Sequence, residues 1–407
     1  MPSVRLRSGG ALSGYGLAVS TALGLVVTSH AGTDTLRVFA LPSLPGPLGS
    51  AWEGGEAPGH GAAGGGTSPL FSLGGRGSPP PLQFRFEDDV GLSGGLAFLP
   101  FATGPAGPDS SSVSGAGATG MLVVADARAG HDAVHIIDVA RRCHAGYVAP
   151  PSTILGPRDV AMAPNGRTVA VSAWKGGVEY CVEVQLFQLE REVDTAGCGG
   201  TGWSPSRVVC SGSVTPDGMR VGTPSGLRFT ADGALLALAD SDHNRVTLFR
   251  VGDGGFVGHL GGTGRQRRLS YPTDLEECED GDWLVTNLTR GTLHVVAGAA
   301  AGDGCDVAPT LVQLRPSLSC GSGAGVALHQ PVSLVLVEGL GLLVRELGPA
   351  QEELGHEQGW PEEPGRSGVR LFATEDALAM AVMGQTRVGW MVAVARALVR
   401  WARREPC

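Results

Sequence analysis

Two aspartates occupy matching places in two similar strings: Asp159 in PRDVAM, two residues after Pro157, and Asp274 in PTDLEE, two residues after Pro272. Carboxylates repeated at one position of a recurring unit can converge, and converging carboxylate oxygens suit a hard divalent cation such as Ca²⁺. The matching positions elsewhere, Gly226, Ser333, Gly14 and Gly94, carry no strong ligand. Carboxylates that tie strands together are therefore the simpler reading of the pair. A second polar group, Asp240, His243, Asn244 and Arg245, is concentrated in a short stretch. Its aspartate can accept backbone N–H bonds at a hairpin, and its arginine can pair with a carboxylate of a neighbouring unit.

Among the ten histidines only His131 and His135 show H-x-x-x-H spacing. On a helix that spacing would align both rings on one metal ion. The segment HDAVHIID reads as a strand, where four residues span roughly 13 Å, too far for one ion. His30 and His243 fall at comparable hairpins and would need to meet for a two-histidine zinc site. No H-E-x-x-H motif is present, and no G-x-S-x-G elbow, phosphate loop or dinucleotide fingerprint stands between a strand and a helix. None of the eight cysteines forms a C-x-x-C pair, which leaves a zinc ribbon or thioredoxin-like motif without support. Cys198/Cys210 and Cys305/Cys320 each flank a loop and could pair in an oxidising compartment; reduced, buried thiols are the favoured reading.

The elements that must position these residues recur six times. The clearest copy is Pro224–Phe249, PSGLRFTADGALLALADSDHNRVTLF. It reads as an apolar-alternating strand, an Asp-Gly turn, a second strand ending in Ala-Asp-Ser, then Asn-Arg and a third strand. Pro157–Phe187 and Pro272–Val296 follow it closely; Leu12–Leu41, Leu92–Asp138 and Pro331–Phe372 keep the hydrophobic skeleton. Asp-Gly and Asn-Gly tolerate the positive φ of tight hairpins, so each copy is a small antiparallel meander. One meander cannot bury both apolar faces, and neighbours must stack; for units of this size the usual solution is a radial propeller.

The repeat resembles that of the NHL family. Pro224, Gly226, Leu227, Phe229, Asp232, Gly233, Leu236, Ala239, Asp240, Ser241, Asn244, Arg245, Val246 and Phe249 match its pattern, and the Gly-rich linker GHLGGTGRQRRLSYPTDL looks like the connection into the next repeat. The resemblance implies an all-β, six-bladed β-propeller over residues 1–373, in which Asp240, Asn244 and Arg245 belong to the repeat itself and hold the blade. It also implies inner strands lining a central channel, where Asp159 and Asp274 would lie two blades apart. Some related propeller enzymes, lactonases and a peptide-amidating lyase, use a channel metal. The short strand Ser3–Arg7 is expected to complete the sixth blade, since an unclosed ring would leave two sheet edges exposed.

Composition narrows the function classes. The net charge of −9 argues against general nucleic-acid binding, which needs a basic stripe. Arg141 and Arg142, and Arg265, Arg267 and Arg268, are local clusters only. Much of the glycine, 65 residues in all, falls in Gly46–Ser78 and Gly104–Gly120, which read as flexible Gly/Pro-rich insertions. The apolar N-terminus mimics a signal peptide but is interrupted by Gly, Ser and Thr and is needed as the first blade. No cleaved signal and no transmembrane segment are expected. Localisation stays open, with an intracellular chain favoured. Residues 374–407 depart from the strand pattern and read as a helical tail, capped at Thr374, that packs on the propeller or docks as an amphipathic helix on a partner or membrane surface.

The expected function is a non-enzymatic scaffold that holds a protein or peptide partner on one loop face, without a cofactor. The alternatives are a metal-dependent lyase or lactonase with one cation such as Ca²⁺ between Asp159 and Asp274, and an RNA-binding propeller.

Overall fold

The computed structural model describes residues 5–7, 15–30, 33–41, 66–67, 69–75, 77–78, 82–84, 86, 94–99, 120–127, 131–174, 182–189, 203–211, 221–222, 224–261, 269–278, 281–296, 312–314, 330–337, 341–346 and 368–373. The expected helical tail at 374–407 and most of the expected insertion at 104–120 lie outside them. The described residues contain no α-helix, and none that is long and apolar enough to cross a membrane.

The fold is an all-β propeller. Blade 1 comprises Leu17–Ser20, Leu25–His30, Thr35–Ala40 and Phe71–Gly74. Blade 2 comprises Leu96–Phe98, Met121–Asp126, Ala133–Asp138 and Cys143–Ala149. Blade 3 comprises Leu155–Met162, Thr168–Trp174, Val182–Leu189 and Trp203–Ser211. Blade 4 comprises Pro224–Phe229, Leu235–Asp240, Arg245–Arg250 and Phe256–Leu260, and blade 5 Pro272–Glu277, Trp283–Asn287, Thr292–Val296 and Val312–Leu314. Each is a four-stranded antiparallel meander. A closing sheet of five strands joins Pro331–Val337, Gly341–Glu346 and Gly368–Ala373 to Arg5–Arg7 and Gly66–Thr67. The first strand of each sheet contacts the first strand of the next, and that of the closing sheet contacts that of blade 1, so the inner ring is continuous.

Local chemistry explains the meanders. Val, Leu and Phe alternate on the strands, and the Asn165-Gly166 and Asp232-Gly233 turns place their glycines at φ 66° and 71°. Asn165 Oδ1 accepts the Arg167 and Thr168 N–H groups, and Asp232 Oδ1 accepts the Ala234 N–H and the Thr230 hydroxyl. These turn bonds stand in for the ladder bonds that the chain reversal interrupts. The core lies between sheets. Val123, Ile136, Val160 and Val171 pack where blades 2 and 3 face, and Leu227, Phe229, Leu236 and Ala170 where blades 3 and 4 face. Leu248, Leu275, Trp283 and Val285 fill the space between blades 4 and 5. Fully burying a side chain of this kind stabilises by about 1.5–3 kcal/mol, and every blade depends on two neighbours for that burial.

The segment Gly46–Ser78, expected as a flexible insertion, contains ordered pairing. Phe71–Gly74 is the outer strand of blade 1, with Leu36 opposite Leu73, and Gly66–Thr67 pairs in parallel with Arg5–Leu6 in the closing sheet. FSLG is too short and too glycine-flanked to show periodicity, but its Leu73 is buried against blade 1.

Closure uses both ends of the strand-forming chain. Arg5, Leu6 and Arg7 pair antiparallel with Arg370, Val369 and Gly368. From the same sheet the buried Arg345 reaches into blade 1: its Nη1 and Nη2 donate to the Gly16 and Ser29 carbonyls, each at 2.5 Å. Burial, together with the nearby Arg37, lowers the Arg345 pKa to about 9.

Leu6 lies between two paired strands, so proline there removes a ladder donor in the middle of a sheet. Leu6→Pro is expected to lower the urea midpoint of unfolding clearly, while Leu6→Val leaves it nearly unchanged. Equal midpoints for the two variants would show that this strand does not close the ring.

Candidate functional site

The inner strands begin at one end of the ring, and there the two sequence-selected aspartates meet a common space. A cavity of about 20 Å³ is lined by Tyr15, Arg158, Asp159, Ser225, Asp274 and Ser333, together with Gly95, Thr273 and Val332. That volume has room for about one water or one bare cation.

Each aspartate is held in the same way. The inner strand bulges at this point, and the bulged N–H is taken by a hydroxyl on the second strand. Asp159 N–H donates to Ser172 Oγ at 3.1 Å, and Asp274 N–H to Thr286 Oγ1 at 2.7 Å. Gly16 N–H donates to Ser29 Oγ at 2.9 Å in the same manner. Gly16 and Gly95 are therefore the counterparts of the aspartates in blades 1 and 2, not Gly14 and Gly94. The worn first strands of those copies contain several glycines, which made the alignment ambiguous by one or two residues.

The carboxylates then bond across blades. Leu227 N–H of blade 4 donates to Asp159 Oδ2 at 2.7 Å, and Leu334 N–H of the closing sheet donates to Asp274 Oδ2 at 3.0 Å. Asp274 Oδ1 also accepts the Leu275 N–H at 2.8 Å. Ser333 Oγ–H donates to the Tyr15 carbonyl, carrying the pattern on into blade 1. The residue preceding each aspartate around the ring must lack a side chain. A Cβ on Gly95 would come within 2.2 Å of Asp159 Oδ1, and one on Gly226 within 2.8 Å of the Asp274 Cα.

One layer deeper stand two channel residues that the comparison of repeats left out, Arg228 and Glu276. Arg228 Nε lies 2.9 Å from Glu276 Oε2, and its Nη2 lies 3.8 Å from Asp274 Oδ1. The same guanidinium donates to the Leu275 and Leu334 carbonyls at 3.2 and 3.4 Å. Period-two alternation from Gly226 and Asp274 leads directly to this pair, and that was the available signal. Two carboxylates thus lie against one guanidinium, and its charge also reaches Asp159 from farther away. Burial, then the Asp274 charge, pushes the Asp159 carboxyl up to about 7. Burial also raises Asp274, and raises Glu276 to about 7 against the pull of Arg228. For Arg228 burial lowers the pKa, but Glu276, Asp274 and Asp159 together outweigh it and the net shift is upward.

The second polar group is internal to blade 4. Arg245 Nε donates to Asp240 Oδ2 at 2.9 Å; Asp240 Oδ1 accepts the Gly222 N–H at 3.0 Å and lies 2.9 Å from His243 Nδ1. Arg245 therefore finds a carboxylate in its own hairpin, where the sequence reading placed one in a neighbouring blade: the two residues are directly opposite in the ladder. Links to blade 5 come instead from Asn244, whose Oδ1 accepts the Tyr271 N–H at 2.7 Å, and from Ser241, whose hydroxyl donates to the Pro272 carbonyl at 2.6 Å. Asn244 holds φ 56°, a left-handed conformation that Asn tolerates.

The remaining candidates disperse. His30 is buried in blade 1, 2.8 Å from Thr28 Oγ1, and burial, then Arg345 and Arg37, lowers its pKa to about 2. His243 stands in blade 4, so the two do not form a pair. His131 is exposed and lies just before the strand in which the sequence reading placed it, and His135 is buried on that strand. Cys143 is an exposed thiol, not a buried one. Cys198, Cys305 and Cys320 lie outside the described residues, as do Arg265, Arg267 and Arg268. Arg141 pairs with Asp138, and Arg142 covers the Phe71 ring at 4.0 Å. Among the described residues no three His, Cys, Asp or Glu side chains converge on one metal position.

No family model and no curated protein matches the sequence. Among solved structures the chain is similar to one in the nidogen/laminin complex, at 14% identity and a TM-score of 0.44, over 72% of this chain and 78% of that one. It is also similar to a luciferin-regenerating enzyme, at 11% identity and a TM-score of 0.46, over 91% and 96% of the two chains. At these identities the likeness concerns the course of the chain alone.

Two outcomes follow from the geometry. Asp159→Asn keeps an acceptor for Leu227 N–H and removes a charge, whereas Asp159→Ala strands the amide at a cost of about 1–3 kcal/mol. With a folded pKa near 7 against an ordinary 3.8, Asp159 contributes stability that is fully present below about pH 4 and is lost as pH rises through 7. Asp159→Asn should therefore flatten the fall in melting temperature between pH 5 and 8; an unchanged slope would refute the assignment. Asp240→Ala leaves the Arg245 charge buried beside an apolar methyl, and chemical denaturation should register a loss of about 3–5 kcal/mol.

Proposed function

We propose that the protein is a six-bladed propeller of the NHL type, with the closing sheet as its sixth blade, that binds a protein or peptide partner on a loop face and does not itself catalyse a reaction. The observation that carries this reading is the commitment of the channel polar groups. Asp159, Asp274, Thr273 and Ser333 each bond a neighbouring sheet's backbone, and the space they leave is about 20 Å³.

The rim where inner strands begin and second–third hairpins turn is the better candidate face. Leu155 stands 50% exposed at the start of the blade 3 inner strand, and Asp242, His131 and Arg290 are exposed on the hairpins or linkers of blades 4, 2 and 5. An exposed apolar side chain among interspersed charges fits a protein partner better than a polyanion. Leu70, the other large exposed apolar side chain among the described residues, belongs to the opposite rim.

A second reading, a metal-dependent lyase or lactonase, draws on one observation: Asp159 and Asp274 line the same cavity. A cation there would compete with the Leu227 and Leu334 amides for the same oxygens.

The discriminating experiment uses the full chain as bait, with Leu155→Asp/Asp242→Arg on one rim and Leu70→Asp on the other. A partner whose affinity falls at least about tenfold with the first variant and holds with the second supports the platform on the proposed face. Retention by the double variant rejects that face, and Ca²⁺-dependent lactone turnover abolished by Asp159→Asn replaces the platform with the enzyme.

A further inference from the structure

Blade 2 contains a cluster that the channel does not involve. Asp126 ends the second strand, His135 lies on the third, and His144 and Tyr147 lie on the outer strand. His135 Nε2 is 3.1 Å from Asp126 Oδ2, both side chains being almost wholly buried. The His135 ring lies 5.3 Å from that of His144 and 5.1 Å from that of Tyr147, and Phe84 closes the cluster edge-on at 5.5 Å.

Three features set this apart from ordinary core packing. Spacing of three along a strand would send His144 and Tyr147 to opposite faces. A bulge between His144 and Gly146, with Gly146 at φ 149°, brings both onto the side of His135. Bulges of this kind re-aim side chains and are common beside functional sites. Next, His135 Nε2 faces the Asp126 carboxylate, which can only accept its N–H, so in the neutral ring the lone pair is on Nδ1. Finally, that Nδ1 and the Nε2 of His144 are both buried without a hydrogen-bond partner among the described residues. Buried polar atoms are nearly always satisfied; His30 Nδ1 is orphaned too, but only here do two such nitrogens belong to rings whose centroids lie 5.3 Å apart, where one occupant can serve both.

We propose that His135 and His144 bind one Zn²⁺ ion, with Asp126 as the carboxylate that orients His135. A carboxylate–histidine–metal arrangement is the usual outer support of such a ligand, and imidazole nitrogen suits Zn²⁺ better than the hard oxygen-seeking cations. Since no three side chains converge, water fills the other positions, and the partly exposed His144 and Tyr147 mark the side of entry. The H-x-x-x-H spacing of His131 and His135 was set aside because a strand holds the two residues too far apart for one ion. The second imidazole comes from the adjacent strand.

Equilibrium dialysis of the full chain against Zn²⁺ at pH 7.5, with Co²⁺ absorption as a second probe, tests the assignment. One equivalent should bind and raise the melting temperature, and the Co²⁺ spectrum should lack a thiolate charge-transfer band. His144→Ala, at a partly exposed position, should weaken binding at least about tenfold while keeping the apo melting temperature, and Asp126→Asn should weaken it by about 10–100-fold. Failure to bind Zn²⁺, binding unaltered in His144→Ala, or a thiolate band would each overturn the proposal.

Discussion

The structure depends on hydrogen bonds that inner-strand side chains make to the backbone of the next blade. An isolated meander has two apolar faces and two open edges, and a ring of meanders has no shared ladder to hold neighbouring sheets in register. Asp159 on Leu227, Asp274 on Leu334 and Ser333 on Tyr15 supply that register at the channel wall. Hydrophobic contact between sheets provides most of the stabilisation but is indifferent to small slips. A carboxylate aimed at one amide is not.

The latch imposes a cost that the rest of the channel is arranged to limit. Placing Asp159, Asp274 and Glu276 in a narrow space disfavours their charged forms, and Arg228 answers with one positive charge among three. The glycines at positions 95 and 226 give the carboxylates the room to reach their amides. Residues that look like metal ligands in the sequence are therefore tied into the mechanics of the ring. That is why the function proposed for the chain lies on its rim and not in its channel.

Much of the fold was legible because its causes are local. Period-two alternation and Asn-Gly or Asp-Gly turns specify a meander wherever they occur, and Pro224–Phe249 states all of them. The outer strand Phe71–Gly74 was not legible, since four residues in a glycine-rich stretch carry too little periodicity. Arg245 illustrates the same limit in a side chain: the repeat pattern showed that it matters, but only strand register set Asp240 opposite it. His144 was hidden more deeply, because a one-residue bulge reverses the face on which a strand residue appears.

By itself the sequence determined the repeated unit, its turns, the alternation that buries its faces, and the prominence of Asp159, Asp274 and the Asp240–Arg245 group. These follow from backbone preferences and apolar periodicity, which act over a few residues. Only the tertiary structure decided what the polar residues do. It joined Arg5–Arg7 to Gly368–Ala373, turned two candidate ligands into latches, brought Arg228 to Glu276 from another blade, and set His144 against His135. Each of those pairings joins separate strands or blades, and the bonds form only once strand register and ring closure have fixed which atoms face one another.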